Sequence, residues 1–270
     1  MSSNIKIAVT TNCETQLLAA KEWARKLNLP FIEKQAWIPR TAPRDDITDN
    51  TDFVLNLTSE RLQLEELSKK NRQKNSNPIF VDFLDPKLSF RIKHANKSNE
   101  MILKAVGIKN NTNPSILDAT AGLGTDAFLL AASGCEVLML ERSPIIGALL
   151  QNGLERYNKQ KPAVITLKLL LASANNYLTA LKSKQHDVIY LDPMYPPRVK
   201  SALGKKNMRI LHTIVGADED ADKILKLALK WAKKRVVVKR PKFAGHLGLI
   251  KPDIIFVSNA SSRYDVYIIK

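Results

Sequence analysis

Two short segments of the sequence combine residue types that could bind a ligand and do chemistry on it. The first is DATAGLGTD at residues 118–126, directly after a predicted strand. Gly122 and Gly124 allow a sharp backbone turn and a close approach to a ligand. Glu141 follows at the end of the next predicted strand, where a carboxylate can accept hydrogen bonds from ribose hydroxyls. This spacing predicts a nucleotide-like ligand.

The glycine pattern alone leaves alternatives open, because it also fits NAD-binding domains or a tight turn that binds nothing. Asp118 narrows the choice of ligand. A carboxylate at the tip of the strand repels a pyrophosphate but attracts the ammonium and sulfonium groups of S-adenosylmethionine. The alternative for Asp118 is a structural cap on nearby backbone amides. The segment favours a methyl donor over a dinucleotide.

The second segment is Asp192-Pro193-Met194-Tyr195, after the predicted strand 187–191. It resembles the Asp/Asn-Pro-Pro-Tyr/Phe motif of amino methyltransferases. Asp192 and the carbonyl of Pro193 could accept hydrogens from an exocyclic base amine, while Tyr195 stacks on an extruded base. The alternative is a strand that ends in a proline-rich turn. In a doubly wound sheet both segments would face one crevice at the carboxyl ends of the strands.

The charge balance indicates a polyanionic partner. The 270 residues contain 42 Lys plus Arg against 26 Asp plus Glu, a formal net charge of +16. Five basic residues near Gly204 predict a mobile loop that binds RNA phosphates: Arg198, Lys200, Lys205, Lys206 and Arg209. Further basic clusters at 233–235 and 239–242 bracket a predicted strand. Each cluster could instead be a solvated surface. The acidic stretch 216–222 is interpreted as a helix cap without a catalytic role.

Several classes of protein are not indicated. Cys13 and Cys135 are far apart, which predicts free thiols and a reducing, cytoplasmic compartment. The four histidines lack metal-ligand spacing, so we expect no metal site. Neither a signal peptide nor an apolar run long enough to span a membrane is predicted.

Short apolar strands alternate with helical stretches from Ile116 onward, which predicts an α/β fold with a doubly wound, mostly parallel sheet. The strands Ile254–Val257 and Tyr264–Ile269 are expected to form an antiparallel edge hairpin. Residues 1–95 are predicted to form a small N-terminal α/β domain, and residues 96–270 the larger domain. Within the first, 60–70 is predicted to be helical and 79–83 a strand. The basic stretch 91–99 is predicted to be a connector.

Six segments in the same order resemble one family, the bacterial ribosomal RNA small subunit methyltransferase J family. They are DATAGLG at 118–124, ER at 141–142, YLDPMYP at 190–196, KSAL at 200–203, VGAD at 215–218 and RVVVKRP at 235–241. The likeness covers about residues 80–270 well and the N-terminal part weakly.

The resemblance implies a Rossmann-like class I methyltransferase fold and methylation of N2 of a guanosine in 16S rRNA, with the small ribosomal subunit as partner. S-adenosylmethionine is the implied donor. The implied donor-binding residues are Thr125, Asp126, Glu141, Arg142, Ser173, Ala174 and Asp192. The sequence departs from the family pattern at Thr125, where Arg is usual, and at Ala174, where a second Ser is usual.

Other functions remain open at the level of sequence. An N6-adenine methyltransferase would share the chemistry of the Asp192 segment. An NAD-dependent oxidoreductase would share the glycine loop. A ribosome assembly factor with a vestigial donor pocket would share both.

Overall fold

The computed structural model describes residues 5–33, 51–67, 78–96, 99–108, 113–161, 165–194, 206–216, 218–258 and 261–270. They form two β-sheets, of seven and four strands, with helices packed around them. Among these residues, no helix combines the length and apolar character that crossing a bilayer requires.

The larger sheet has the predicted doubly wound topology, with strand order β10-β11-β9-β8-β5-β6-β7. Its strands are β5 (Ser115–Asp118), β6 (Glu136–Glu141), β7 (Leu167–Leu171), β8 (Val188–Leu191), β9 (Arg235–Pro241), β10 (Ile254–Val257) and β11 (Ser262–Ile268). Strands β9, β8, β5, β6 and β7 are parallel, and β11 is antiparallel to both β9 and β10. The Rossmann-like fold and the antiparallel edge hairpin are therefore confirmed.

Helices cover both faces of this sheet, which is why its central strands are apolar along their length. Successive side chains point to opposite faces, so Val237 packs into one hydrophobic cluster and Val236 and Val238 into another. The helices beside this sheet that contribute to the first cluster include α3 (Met101–Val106), α4 (Thr125–Ala132), α5 (Pro144–Gln160) and α7 (Lys206–Val215). Those of the second are α6 (Ala174–Ala180) and α8 (Ala221–Trp231).

The direction of the chain connections reverses between β5 and β8. From β5 the chain continues through β6 to β7 on one side, while β8 and β9 lie on the other. Ligands of doubly wound folds bind in the crevice beyond the carboxyl ends of strands at such a point. The glycine loop follows β5 and Asp192 follows β8, so both segments leave the sheet at this position.

The smaller sheet has the order β2-β1-β3-β4 and is flanked by helix α1 (Leu17–Leu27). Its strands are β1 (Ile7–Thr10), β2 (Phe31–Ile32), β3 (Phe53–Leu57) and β4 (Leu62–Glu66). The helix predicted for 60–70 is wrong, because β4 occupies 62–66. Leu62 and Leu64 alternate with more exposed residues and are buried, and the turn between Thr58 and Arg61 pairs β4 with β3.

Two other predictions near the proposed boundary also need correction. Residues 79–83 do not form a strand; only an isolated bridge pairs Ile79 with Leu64. Helix α2 (Pro86–His94) occupies half of the predicted connector. Asp85 caps this helix by accepting from the amides of Lys87 and Leu88, and Pro86 occupies its first turn.

One hydrophobic cluster contains residues from both sheets. Phe83 stacks on Phe128 of α4, with ring centroids 4.4 Å apart. Arg156 of α5 forms an ion pair with Asp82 at 3.3 Å and also donates to the carbonyl of Val81. The division into domains 1–95 and 96–270 stays a prediction.

We expect Phe83→Ala to lower the free energy of unfolding by about 3 to 5 kcal/mol, because it removes a buried ring stacked on Phe128. Urea denaturation followed by circular dichroism measures the change. Phe90→Ala is the matched control, since Phe90 is 66% exposed, and its effect should stay within about 0.5 kcal/mol. Equal losses in the two variants would contradict the packing role of Phe83.

Candidate active site

A cavity of about 660 Å³ lies at the carboxyl ends of the parallel strands. The glycine loop forms one wall, and Asp192, Pro193 and Met194 form another. This volume is within the range of small-molecule and cofactor sites. The two segments that the sequence analysis singled out therefore meet in one site.

Most of the predicted ligand-binding and catalytic residues line this cavity: Asp118, Gly122, Thr125, Asp126, Glu141, Arg142, Ser173, Ala174, Asp192 and Pro193. Gly124 lies behind the loop, where an added Cβ would come within 2.7 Å of Leu150. Tyr195, Arg198, Lys200 and Lys205 lie outside the described residues. The individual roles of all these residues stay predictions.

The glycine loop is tied to the end of β6 through Glu141. Its Oε2 accepts from the Gly122 amide at 3.1 Å, and its Oε1 accepts from the Ser143 amide at 2.7 Å. Gly122 and Gly124 both have positive φ, of 54° and 73°, a region that L side chains rarely adopt. The turn therefore favours glycine at both positions.

Asp118 is almost fully buried, with 2% of its surface exposed. Burial raises the pKa of its carboxyl to about 8, although the amide of Thr120, which donates to Oδ1 at 3.1 Å, opposes the shift. Asp118 thus caps a backbone amide and also lines the cavity. The structural and ligand-binding interpretations of Asp118 are compatible.

Thr120 joins the two walls of the cavity. Its Oγ1 accepts a hydrogen bond of 2.6 Å from the amide of Asp192. The amide of Ala119 donates to the carbonyl of Tyr190 at 3.0 Å and continues the pairing of β5 with β8 into the loop. The backbone at Asp192 is therefore held against the glycine loop.

Lys239 is a site residue that the sequence analysis missed. Its Nζ lies 2.9 Å from Oδ2 of Asp192 and 2.8 Å from Oδ2 of Asp126. The sequence analysis placed Lys239 in a basic cluster and in the family segment 235–241, but gave it no role in the site. The register of β8 with β9, which pairs Leu191 with Val238, brings Lys239 beside Asp192, and no local pattern reveals that register.

Arg142 lies in a third wall of the cavity, together with Val215 and Asp218. Its Nη2 lies 2.9 Å from Oδ1 of Asp218 and 3.2 Å from the carbonyl of Val215. Oδ2 of Asp218 accepts from the Met194 amide at 2.6 Å. The acidic stretch precedes α8 as predicted, but Asp220 at the N-cap makes no side-chain capping hydrogen bond. Asp218 instead lines the cavity and connects Arg142 to the Asp192 segment.

The expectation of a mobile basic loop is wrong for Lys206 and Arg209, which belong to helix α7. Ile210 and Leu211 in this helix are buried, so its apolar face packs into the core. Arg209 is exposed, and its Nη2 lies 3.1 Å from Oε2 of Glu66 in β4. Contact of either residue with RNA stays a prediction.

The lining charges suit a cationic ligand better than a pyrophosphate. Each of the three Lys or Arg side chains in the described lining faces a carboxylate: Arg91 and Lys239 face Asp126, and Arg142 faces Asp218. The ammonium and sulfonium of S-adenosylmethionine fit such a site. In the described part of the chain, no group of three or more His, Cys, Asp or Glu side chains could hold a metal ion.

Comparison with known proteins gives consistent results. A family described as putative SAM-dependent methyltransferase matches residues 42–269. A ribosomal RNA small subunit methyltransferase J from Coxiella burnetii (strain RSA 493 / Nine Mile phase I) is 43% identical over 268 residues, covering 99% of this chain and 98% of the relative. Another from Nitrosococcus oceani is 40% identical and covers 94% of each chain.

Among solved structures, a SAM-dependent methyltransferase from Neisseria gonorrhoeae is similar over 97% of this chain and 95% of its own. The TM-score is 0.69 and the sequence identity 27%. The likeness extends over both sheets.

We expect Asp118→Asn to remove a pH dependence of stability. The pKa of Asp118 is higher in the folded chain, about 8, than in the unfolded chain, so its contribution to stability is present below about pH 4 and lost as pH rises through about 8. As pH rises between these two values, the free energy of unfolding of the wild type should fall relative to that of the variant by about 1.4 kcal/mol for each pH unit. Urea denaturation at pH 5, 6 and 7 measures the difference, and a constant difference would contradict the buried, protonated carboxyl.

Proposed function

The chain belongs to the ribosomal RNA small subunit methyltransferase J family, and we propose that it transfers the methyl group of S-adenosylmethionine to N2 of a guanosine in 16S rRNA. Full-length similarity to proteins of that name supports the substrate class. The observation that carries the chemistry is the meeting of the glycine loop and Asp192 in one cavity, linked by the hydrogen bond to Thr120.

S-adenosylmethionine supplies an electrophilic methyl group on a positively charged sulfur. Asp118 lies in the cavity wall, and an adjacent cation would favour its ionised form. Glu141 accepts two backbone hydrogen bonds, and a carboxylate has capacity for further donors such as ribose hydroxyls. The residues present therefore fit the donor.

Asp192 and the carbonyl of Pro193 act on the acceptor amine. The lone pair of an exocyclic base nitrogen is delocalised into the ring, and hydrogen-bond acceptors for its hydrogens favour the more nucleophilic, tetrahedral form. The nitrogen forms a bond to the methyl carbon, the sulfur keeps the electron pair of the broken bond, and one amine proton passes to Asp192 and then to water. Fixed positioning of the reacting atoms supplies much of the rate enhancement.

The net charge of +16 supports an RNA substrate, because phosphate neutralisation dominates the affinity of basic proteins for nucleic acids. The proposed partner is the small ribosomal subunit, and the proposed compartment is the cytoplasm, where that subunit functions. Membership of the methyltransferase family argues against the NAD-dependent oxidoreductase that the glycine loop alone allowed.

The proposed function is tested by incubating the protein with methyl-labelled S-adenosylmethionine and small ribosomal subunits from a strain that lacks the gene. Naked 16S rRNA is tested in parallel. Nuclease digestion and mass spectrometry should then show N2-methylguanosine in the RNA. Label in N6-methyladenosine would support the adenine alternative instead, and the absence of transfer to either substrate would contradict the proposal.

We expect Asp192→Ala to reduce methyl transfer at least about 100-fold, because the acceptor for the amine hydrogens is lost. RNA affinity should remain within about twofold, since phosphate contacts dominate it. Filter-binding and single-turnover assays measure the two quantities. Asp253→Ala, which removes an exposed carboxylate beside β10, is the control and should retain the rate. A wild-type rate in Asp192→Ala would refute the mechanism and agree with a vestigial site.

We also expect RNA affinity to fall steeply with salt. If the protein neutralises about four phosphates of a single strand, the logarithm of the association constant falls with the logarithm of salt concentration with a slope of about −3. Fluorescence anisotropy between about 50 and 200 mM KCl measures the slope. A flat response would contradict phosphate binding as the source of affinity.

A further inference from the structure

We propose that Lys239 is a positioning residue that holds the Asp192 carboxylate in its ionised form and in the orientation that accepts hydrogens from the target amine. This inference rests on the proposed methyl transfer. It is carried by the contact of Lys239 Nζ with Oδ2 of Asp192 at 2.9 Å, in a cavity that both residues line. Because Oδ2 faces Lys239, Oδ1 is the oxygen that accepts the amine hydrogen.

The sheet determines where Lys239 lies. Strand β9 runs parallel to β8, and the pairing of Leu191 with Val238 places the next residues, Asp192 and Lys239, side by side. On the other side of β9, Lys239 pairs with Tyr264 of β11. Lys239 therefore enters the cavity from a strand that is hydrogen-bonded along both edges.

A second carboxylate fixes the ammonium from the opposite direction. Oδ2 of Asp126 lies 2.8 Å from Nζ of Lys239 and accepts from the Tyr190 hydroxyl at 2.9 Å. Asp126 is also 3.8 Å from Arg91, which forms a two-point ion pair with Glu100. This alternation of charges reduces the freedom of the lysine side chain, whose flexible stem would otherwise leave the ammonium mobile.

The surroundings of Asp192 explain why a cation is needed. Asp126 faces it from α4, Asp118 from β5 and Asp218 from the segment before α8. Burial and the negative charges of Asp126 and Asp218 raise the pKa of Asp192, and the ammonium of Lys239 acts against them. A protonated Asp192 would carry a hydroxyl donor and lose acceptor capacity.

Lys239 itself stays charged. Burial alone would lower its pKa, but the carboxylates of Asp192 and Asp126 outweigh that effect and raise the pKa above its ordinary value. Among the described residues, Tyr190 and Tyr264 are further titratable groups near Asp192, and burial raises the pKa of both. Both tyrosines therefore remain neutral in the working pH range.

The experiment is the pH profile of kcat/KM for RNA at saturating donor, in the wild type, Lys239→Met and Lys239→Arg. Removal of the ammonium raises the pKa of Asp192, so the acidic limb of the Lys239→Met profile should move up by at least about one pH unit. Lys239→Arg restores a cation, so its acidic limb should lie close to the position of the wild-type limb. A purely structural role would lower the rate at every pH and leave the limb in place.

Lys234→Met is the matched control. Lys234 immediately precedes β9, pairs with Asp187 at 3.2 Å and is largely exposed at the other end of the strand. Its limb should coincide with that of the wild type. Lys239→Gln is a second uncharged variant that keeps a polar side chain, and its acidic limb should move up as in Lys239→Met.

If the wild type is active and the acidic limb of the Lys239→Met profile coincides with that of the wild type, the inference is overturned. If Lys239→Met does not fold or has no measurable rate, Lys239→Gln decides, and an acidic limb that coincides with that of the wild type overturns the inference. A wild type that transfers no methyl group to ribosomal RNA contradicts the proposed function itself, which distinguishes the two failures.

Discussion

The hydrogen bond from the Asp192 amide to Thr120 Oγ1, 2.6 Å long, joins the two chain segments on which the cavity depends. Each segment follows a parallel strand, and those strands are neighbours only because the chain connections reverse between them. A site that transfers a group needs the donor and the acceptor within bonding distance, in line. In this protein β-sheet geometry and one side-chain hydroxyl hold the two segments against each other.

The net charge of the whole chain and the charge of the cavity lining have opposite signs. The whole chain is strongly basic, whereas the charged residues in the described lining of the cavity are mostly acidic, with three Lys or Arg side chains against six carboxylates: Asp118, Asp126, Glu141, Asp192, Asp218 and Asp220. A basic surface attracts RNA, and an acidic interior attracts a small cation and repels phosphate. The two substrates proposed for this protein have opposite charge, so this separation would direct each to its own place.

The sequence predicted the larger sheet well because its signals are local. Apolar runs in 136–141 and 188–191 are bounded by glycine, proline and charged residues, and they are strands in the structure. Prediction failed where pairing or packing with another element decides the local structure. Residues 62–66 have few apolar side chains and form a strand because the turn after β3 pairs them with that strand in a hairpin. Helix α7 was interpreted as a loop because its basic residues obscured the apolar face that packs into the core.

The sequence by itself determined which residue types could do the chemistry: the glycine loop, the acid after the next strand and the Asp192 segment. These are local patterns, and each has a physical reason that does not depend on the rest of the fold. Only the tertiary structure decided what surrounds them. Lys239 lies 47 residues from Asp192 in sequence, yet its ammonium contacts that carboxylate because parallel strands pair in one register, which arises from packing across the whole sheet.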